Sequence, residues 1–137
     1  MKRMRLKPVL PLLVFSGFVF ATNFGRPASA DGAEPAFESQ VAPILASRCV
    51  VCHNQKTPKG GLSLATRDAA LAGGDSGKAI VPGQPDSGLL LDYISGADPE
   101  MPKEDDPLSA DEVAAIRAWI AAGADWPANK TLTPVDA

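Results

Sequence analysis

Cys49-Val50-Val51-Cys52-His53 gathers three chemically competent side chains into five residues. The pattern is C-x-x-C-H, the attachment signature of a c-type haem. The spacing suits the chemistry. Two thiols separated by two residues on a helical turn reach the same macrocycle edge, and each can add to one vinyl group to give a thioether. The next residue then offers its imidazole to the iron. Two other chemistries use similar residues. Structural zinc takes four ligands, usually Cys or His, and residues 31–137 hold only these three. A redox dithiol normally opens a helix within a βαβ pattern, and no convincing parallel strands precede or follow this motif. Haem attachment is the expectation, with Cys49 and Cys52 as covalent anchors and His53 as the proximal iron ligand.

The location of the motif agrees with that chemistry. Lys2, Arg3, Arg5 and Lys7 precede an apolar run from Val9 to Ala21, and Ala28-Ser29-Ala30 supplies small residues in an A-x-A pattern. This is the layout of a secretory signal peptide, expected to span 1–30. The rival is a retained membrane helix, but the run has 13 residues and spanning needs ~20. A periplasmic or otherwise exported location follows, with no stable membrane span after cleavage.

Removing the leader changes the charge. Of 13 basic and 16 acidic residues, five basic ones and no acidic ones lie in 1–30, so residues 31–137 carry 8 against 16, net −8. No basic cluster remains, which excludes a nucleic-acid binder. An acidic electron-transfer protein is expected to dock on redox partners with a basic surface. Four of five Phe also leave, and Phe37, Tyr93, Trp119 and Trp126 remain. For so small a domain this is a thin aromatic inventory, and a haem could fill the core.

The elements that must position the motif are helical. After an extended lead at 31–35, Phe37, Val41, Ile44 and Leu45 fall at helical spacing and run into Cys49. Pro43 lies inside that span and must start the main helix or kink it. Residues 54–64 read as loop. Thr66 is placed to cap a helix through Leu71 that ends at Gly73-Gly74. Pro82-Gly83 reads as a turn. Asp86 is placed to cap a helix carrying Leu89, Leu90, Tyr93 and Ile94, closed by Gly96. Ser109 and Glu112 form a capping box, Leu108 and Val113 a hydrophobic staple, and Val113, Ile116, Trp119 and Ile120 an apolar stripe. Gly123 closes that helix. The segment 128–137 has no periodicity and reads as a flexible tail.

With these elements in place, Phe37-Glu-Ser-Gln-Val-Ala-Pro-Ile-Leu45, the C-x-x-C-H motif and Gly60-Gly-Leu-Ser-Leu64 resemble the planctomycete-type cytochrome c domains. Asp68-Ala-Ala-Leu-Ala-Gly-Gly-Asp-Ser-Gly77, Ile80-Val-Pro-Gly83, Ser87-Gly-Leu-Leu-Leu91 and Met101-Pro102 extend the likeness over 36–127. The resemblance implies an all-α, class I-like cytochrome c fold, with about four short helices wrapped around one covalent haem c and long loops between them. It also implies iron ligation by His53 and Met101. The residues around Met101 bear on that role. A lone Met is usually core filler, but Asp98-Pro-Glu-Met101-Pro-Lys-Glu104 is polar and turn-rich. His53 is the only His, so a second imidazole is not available, and His/Met is a known haem ligation.

Gly60, Gly61, Gly73, Gly74 and Gly77 allow two readings, as turns or as flat backbone against a porphyrin. The run Glu104-Asp105-Asp106 reads as solvated surface. A carbonyl in the 59–64 loop is a candidate partner for the His53 Nδ1–H. The expected function is single-electron transfer without enzymatic turnover. The alternatives are a haem-based ligand sensor or peroxidase-like protein with an open distal site, and an assembly module whose haem stabilises a partner-binding fold.

Overall fold

Pro43 has no N–H to donate and its ring crowds the carbonyl four residues back. The helical run that contains it nevertheless continues unbroken to the motif. In the computed structural model, which describes residues 37–135, π-helical turns Phe37–Val41 and Leu45–Cys49 flank a short α1, Ala42–Ile44, with Pro43 in its first turn. Wider i→i−5 turns, such as Val50 N–H to the Leu45 carbonyl at 2.9 Å, absorb the proline instead of a sharp kink. Ser47 Oγ donates to the Pro43 carbonyl at 2.8 Å. Val41, Leu45 and Val50 face inward and are fully buried. The expected leader at 1–30 and the lead at 31–35 lie outside the described residues.

The remaining elements are α2 (Arg67–Ala72), α3 (Leu89–Ile94) and α4 (Ala110–Ala121), with 3-10 turns at Lys59–Gly61 and Pro85–Ser87. Among the described residues there is no strand, only isolated bridges at His53–Pro58, Thr66–Thr131 and Gly74–Gly77. The all-helical expectation is met in that sense. No helix among the described residues is long and apolar enough to cross a membrane.

Asp86 does not cap α3. It belongs to the 3-10 turn started by Pro85 and its Oδ1 accepts from Arg117 Nη1 at 2.6 Å. The α3 N-cap is Gly88. The first free N–H groups of a helix need acceptors. Here Leu89 and Leu90 donate to the Lys78 and Ala79 carbonyls, both at 2.9 Å. A side chain at Gly88 would strike the Ala79 carbonyl, 2.5 Å from the position of its Cβ.

The capping box at α4 is present. Ser109 Oγ accepts from the Glu112 N–H at 3.2 Å and Glu112 Oε2 from the Ser109 N–H at 2.8 Å. Ile116, Trp119 and Ile120 are buried. Phe37, Trp119 and Trp126 form one aromatic cluster, with ring centroids 4.4 Å apart for Phe37–Trp126 and 5.6 Å for Phe37–Trp119. These three aromatics belong to the same buried core as Val41, Leu45, Leu91 and Ile116. The indole N–H groups donate to the Asp125 and Lys130 carbonyls, at 2.7 and 3.1 Å.

The segment after Pro127 differs from the expected flexible tail. Leu132 is buried, its N–H donates to the Ala65 carbonyl at 2.7 Å, and Lys130 Nζ reaches Glu38 Oε2 at 2.7 Å. The stretch lacks periodicity because it pairs as an extended strap, with one apolar side chain finding a pocket. Helical periodicity cannot report that arrangement.

Candidate functional site

The C-x-x-C-H segment is a single tight turn. The N–H groups of Cys52 and His53 both bond to the Cys49 carbonyl, at 3.1 and 2.8 Å. That closure brings Cys49, Cys52 and His53 to the wall of one cavity of about 610 Å3. Asn54 turns the chain away afterwards. Its Oδ1 accepts from the Lys56 and Thr57 N–H groups at 3.0 and 2.9 Å, while its Nδ2 donates back to the Val50 carbonyl at 3.1 Å. The sequence signal for this Asx turn is the Asn-x-x-Thr-Pro string after the motif, which the spacing argument passed over.

His53 is oriented by the backbone of the 59–64 loop. Its Nδ1 lies 3.3 Å from the Leu62 carbonyl oxygen. A carbonyl can only accept, so this contact favours the tautomer with its proton on Nδ1, the one that leaves Nε2 for a metal. The loop is tied to the motif at both sides, by Lys59 N–H to the Cys52 carbonyl at 3.3 Å and Leu64 N–H to the His53 carbonyl at 2.8 Å.

The thiols differ in environment. Cys49 is buried and Cys52 half-buried. Burial pushes the Cys49 thiol up to about 12, against a lowering by the Arg48 charge.

Met101 reaches the same cavity from the loop that follows α3. Its N–H donates to the Tyr93 carbonyl at 2.9 Å, and its side chain is half-buried against the core. Leu62, Leu64, Ala79, Leu89, Leu90 and Leu108 supply the apolar wall. All four residues singled out in the sequence thus border one space, although His53 and Met101 stand 48 positions apart.

The glycines divide between the two readings. Gly60, Gly74 and Gly77 border the cavity, so Gly74 serves both readings, and a Cβ at Gly60 would meet nothing within 4 Å. Gly61, Gly73 and Gly74 are demanded by the chain itself, since a Cβ there would come within 2.4–2.5 Å of Asp75, Gly77 or Gly60 atoms.

Sequence spacing did not single out Arg48. Its Nη1 lies 3.1 Å from Asp105 Oδ2, its Nη2 donates to the Asp106 carbonyl, and its Nε is buried without a partner. The acidic run 104–106 is therefore more than solvated surface.

The donor set and the space fit a haem. Two thiols stand at thioether spacing, an imidazole presents a free Nε2, and a thioether lines the same cavity. The volume lies within the ~300–1,000 Å3 of cofactor pockets, and the wall is mostly apolar with a charged rim. Residues 49–105 match the family model described as Planctomycete cytochrome C. No curated protein and no solved structure matches this chain.

Proposed function

We propose, from the premise that this chain carries a planctomycete-type cytochrome c domain over residues 49–105, that it is an exported monohaem c-type cytochrome carrying single electrons. The observation that carries this reading is the convergence of Cys49, Cys52, His53 and Met101 on one apolar cavity. The haem would supply an iron that alternates between Fe(II) and Fe(III). Cys49 and Cys52 would hold it through two thioethers. His53 would bind through Nε2, with the Leu62 carbonyl fixing its tautomer and ring angle. Met101 would bind through its sulfur, and a thioether ligand favours the reduced state and raises the potential. The leucine wall would keep water away. Class I-like wrapping by the short helices and their loops goes with this reading, as does export through the leader at 1–30.

The rival, a haem-based sensor or peroxidase-like protein, needs Met101 off the metal. Among the described residues no second His exists to serve an open distal site. The visible spectrum of the purified protein decides. Covalent, low-spin His/Met haem that does not take up carbon monoxide is expected. Met101→Ala should keep the haem attached, lower the potential and admit carbon monoxide. Extractable haem would reject covalent attachment. Ready carbon monoxide binding by wild type, with an unchanged Met101→Ala spectrum, would put the sensor reading in its place.

A further inference from the structure

We infer that Arg48 is a positioning residue that latches the loop bearing Met101 onto the helical run bearing Cys49, and thereby holds the Met101 sulfur at the cavity. The inference rests on the proposed role of Met101 as a ligand.

The loop from Ser95 to Leu108 has no helix of its own, so its place depends on individual ties. Met101 N–H bonds to the Tyr93 carbonyl at 2.9 Å. Lys59 and Glu104 stand 4.0 Å apart with side chains 63% and 83% exposed, and an exposed pair of that kind contributes little. Arg48 is different. Its side chain is 17% exposed, and two nitrogens of its guanidinium bind one loop, at the Asp105 carboxylate 3.1 Å away and at the Asp106 carbonyl. A desolvated guanidinium cannot leave its partners cheaply. Its planar fork meets the two acceptors from two nitrogens in fixed geometry, which the single nitrogen of an ammonium does not offer. Arg48 is covalently next to Cys49, and Asp105 is four residues beyond Met101. The latch therefore spans from one haem anchor to the proposed distal ligand. Without it, segment 102–107 pivots about the Met101 N–H bond. Losing two charge-assisted bonds shifts the balance of closed and open loop by roughly ten- to a hundredfold.

The test uses the full-length holoprotein. Arg48→Gln, Arg48→Lys and Asp105→Asn are compared with wild type and Met101→Ala by carbon monoxide association rate, reduction potential and amide exchange of 102–107. Arg48→Gln should speed association by about tenfold or more, lower the potential toward the Met101→Ala value and raise exchange in 102–107. Arg48→Lys should fall between, and Asp105→Asn should move the same way by less. Placed on Met101→Ala, Arg48→Gln should add nothing to carbon monoxide association. Should Arg48→Gln fail to fold, Asp105→Asn carries the test, because Asp105 lies on the exposed side of the pair. Lower stability with wild-type potential and association would make Arg48 a structural tie only and overturn the inference. Met101→Ala moving neither readout would instead remove the ligand role on which the latch depends, and the latch with it.

Discussion

His53 Nδ1 lies 3.3 Å from the Leu62 carbonyl oxygen, and the Leu62 backbone rests directly on Gly74. A Cβ at Gly74 would stand 2.5 Å from the Gly60 carbonyl oxygen and 3.1 Å from the Leu62 nitrogen. Gly74→Ala must therefore push the 60–62 segment off its seat and slacken the bond that orients His53. The expected result is a loss of about 1–3 kcal/mol in stability and a raised reduction potential, because that bond strengthens the imidazole as a donor. Gly83→Ala is the control. Its Cβ meets nothing within 4 Å, so only its φ of +75° costs, about 1–2 kcal/mol, with the potential unmoved. Equal potentials in all three proteins would separate Gly74 from the site.

The thiols report whether the chain holds this fold without haem. Only thiolate is alkylated. In the fold described, Cys49 is buried with its thiol pushed up to about 12, so at pH 8 only roughly one in ten thousand would be ionised. The sign follows. A thiol neutral in the fold and at about 9 when unfolded adds stability below pH 9 that is lost between pH 9 and 12. We expect the haem-free chain not to keep this fold, because the leucine-lined cavity would face water. Cys49 and Cys52 should then label at equal rates, and Cys49→Ala with Cys52→Ala should show no cooperative thermal transition. Slow labelling of Cys49 alone would mean that the Phe37–Trp119–Trp126 cluster suffices to hold the fold.

The strap after Pro127 should be structural. Leu132 is buried and Lys130 pairs with Glu38 at 2.7 Å. Leu132→Ala should cost ~2–5 kcal/mol, while Lys130→Ala, in an exposed pair, should cost ~1 kcal/mol or less. Thermal unfolding of the holoprotein checks both.

The acidity of residues 31–137, net −8, should steer encounters with basic redox partners. The cavity rim itself is mixed, with Lys59 and Lys103 beside Glu100, Glu104 and Asp105, so the steering comes from the whole molecule. Stopped-flow electron transfer to a basic partner should slow as salt rises past a Debye length of ~8–10 Å. An acidic partner should be slow at low salt and gain from added salt. Equal, salt-independent rates would reject steering.

What the sequence by itself determined was local. C-x-x-C-H needs only one turn to bring its side chains together. The Ser109–Glu112 capping box and the Ile116-Trp119-Ile120 stripe are set by spacings of three and four residues. Gly83 sits in its turn because Pro82 precedes it and its φ is +75°. Tertiary structure decided whatever joins distant segments. The Leu62 carbonyl was chosen for His53 by the seat on Gly74. Lys78 and Ala79 carbonyls displaced Asp86 as the cap of α3, and Asp86 turned to Arg117. Arg48 found Asp105 across 57 positions, turning an acidic run into a tether. Leu132 drew an aperiodic tail into a strap. The physical reason is common to these cases. Backbone periodicity and caps are satisfied by neighbours in sequence, whereas carbonyls, carboxylates and single apolar side chains take whichever partner chain closure brings near, and that partner leaves no spacing to read.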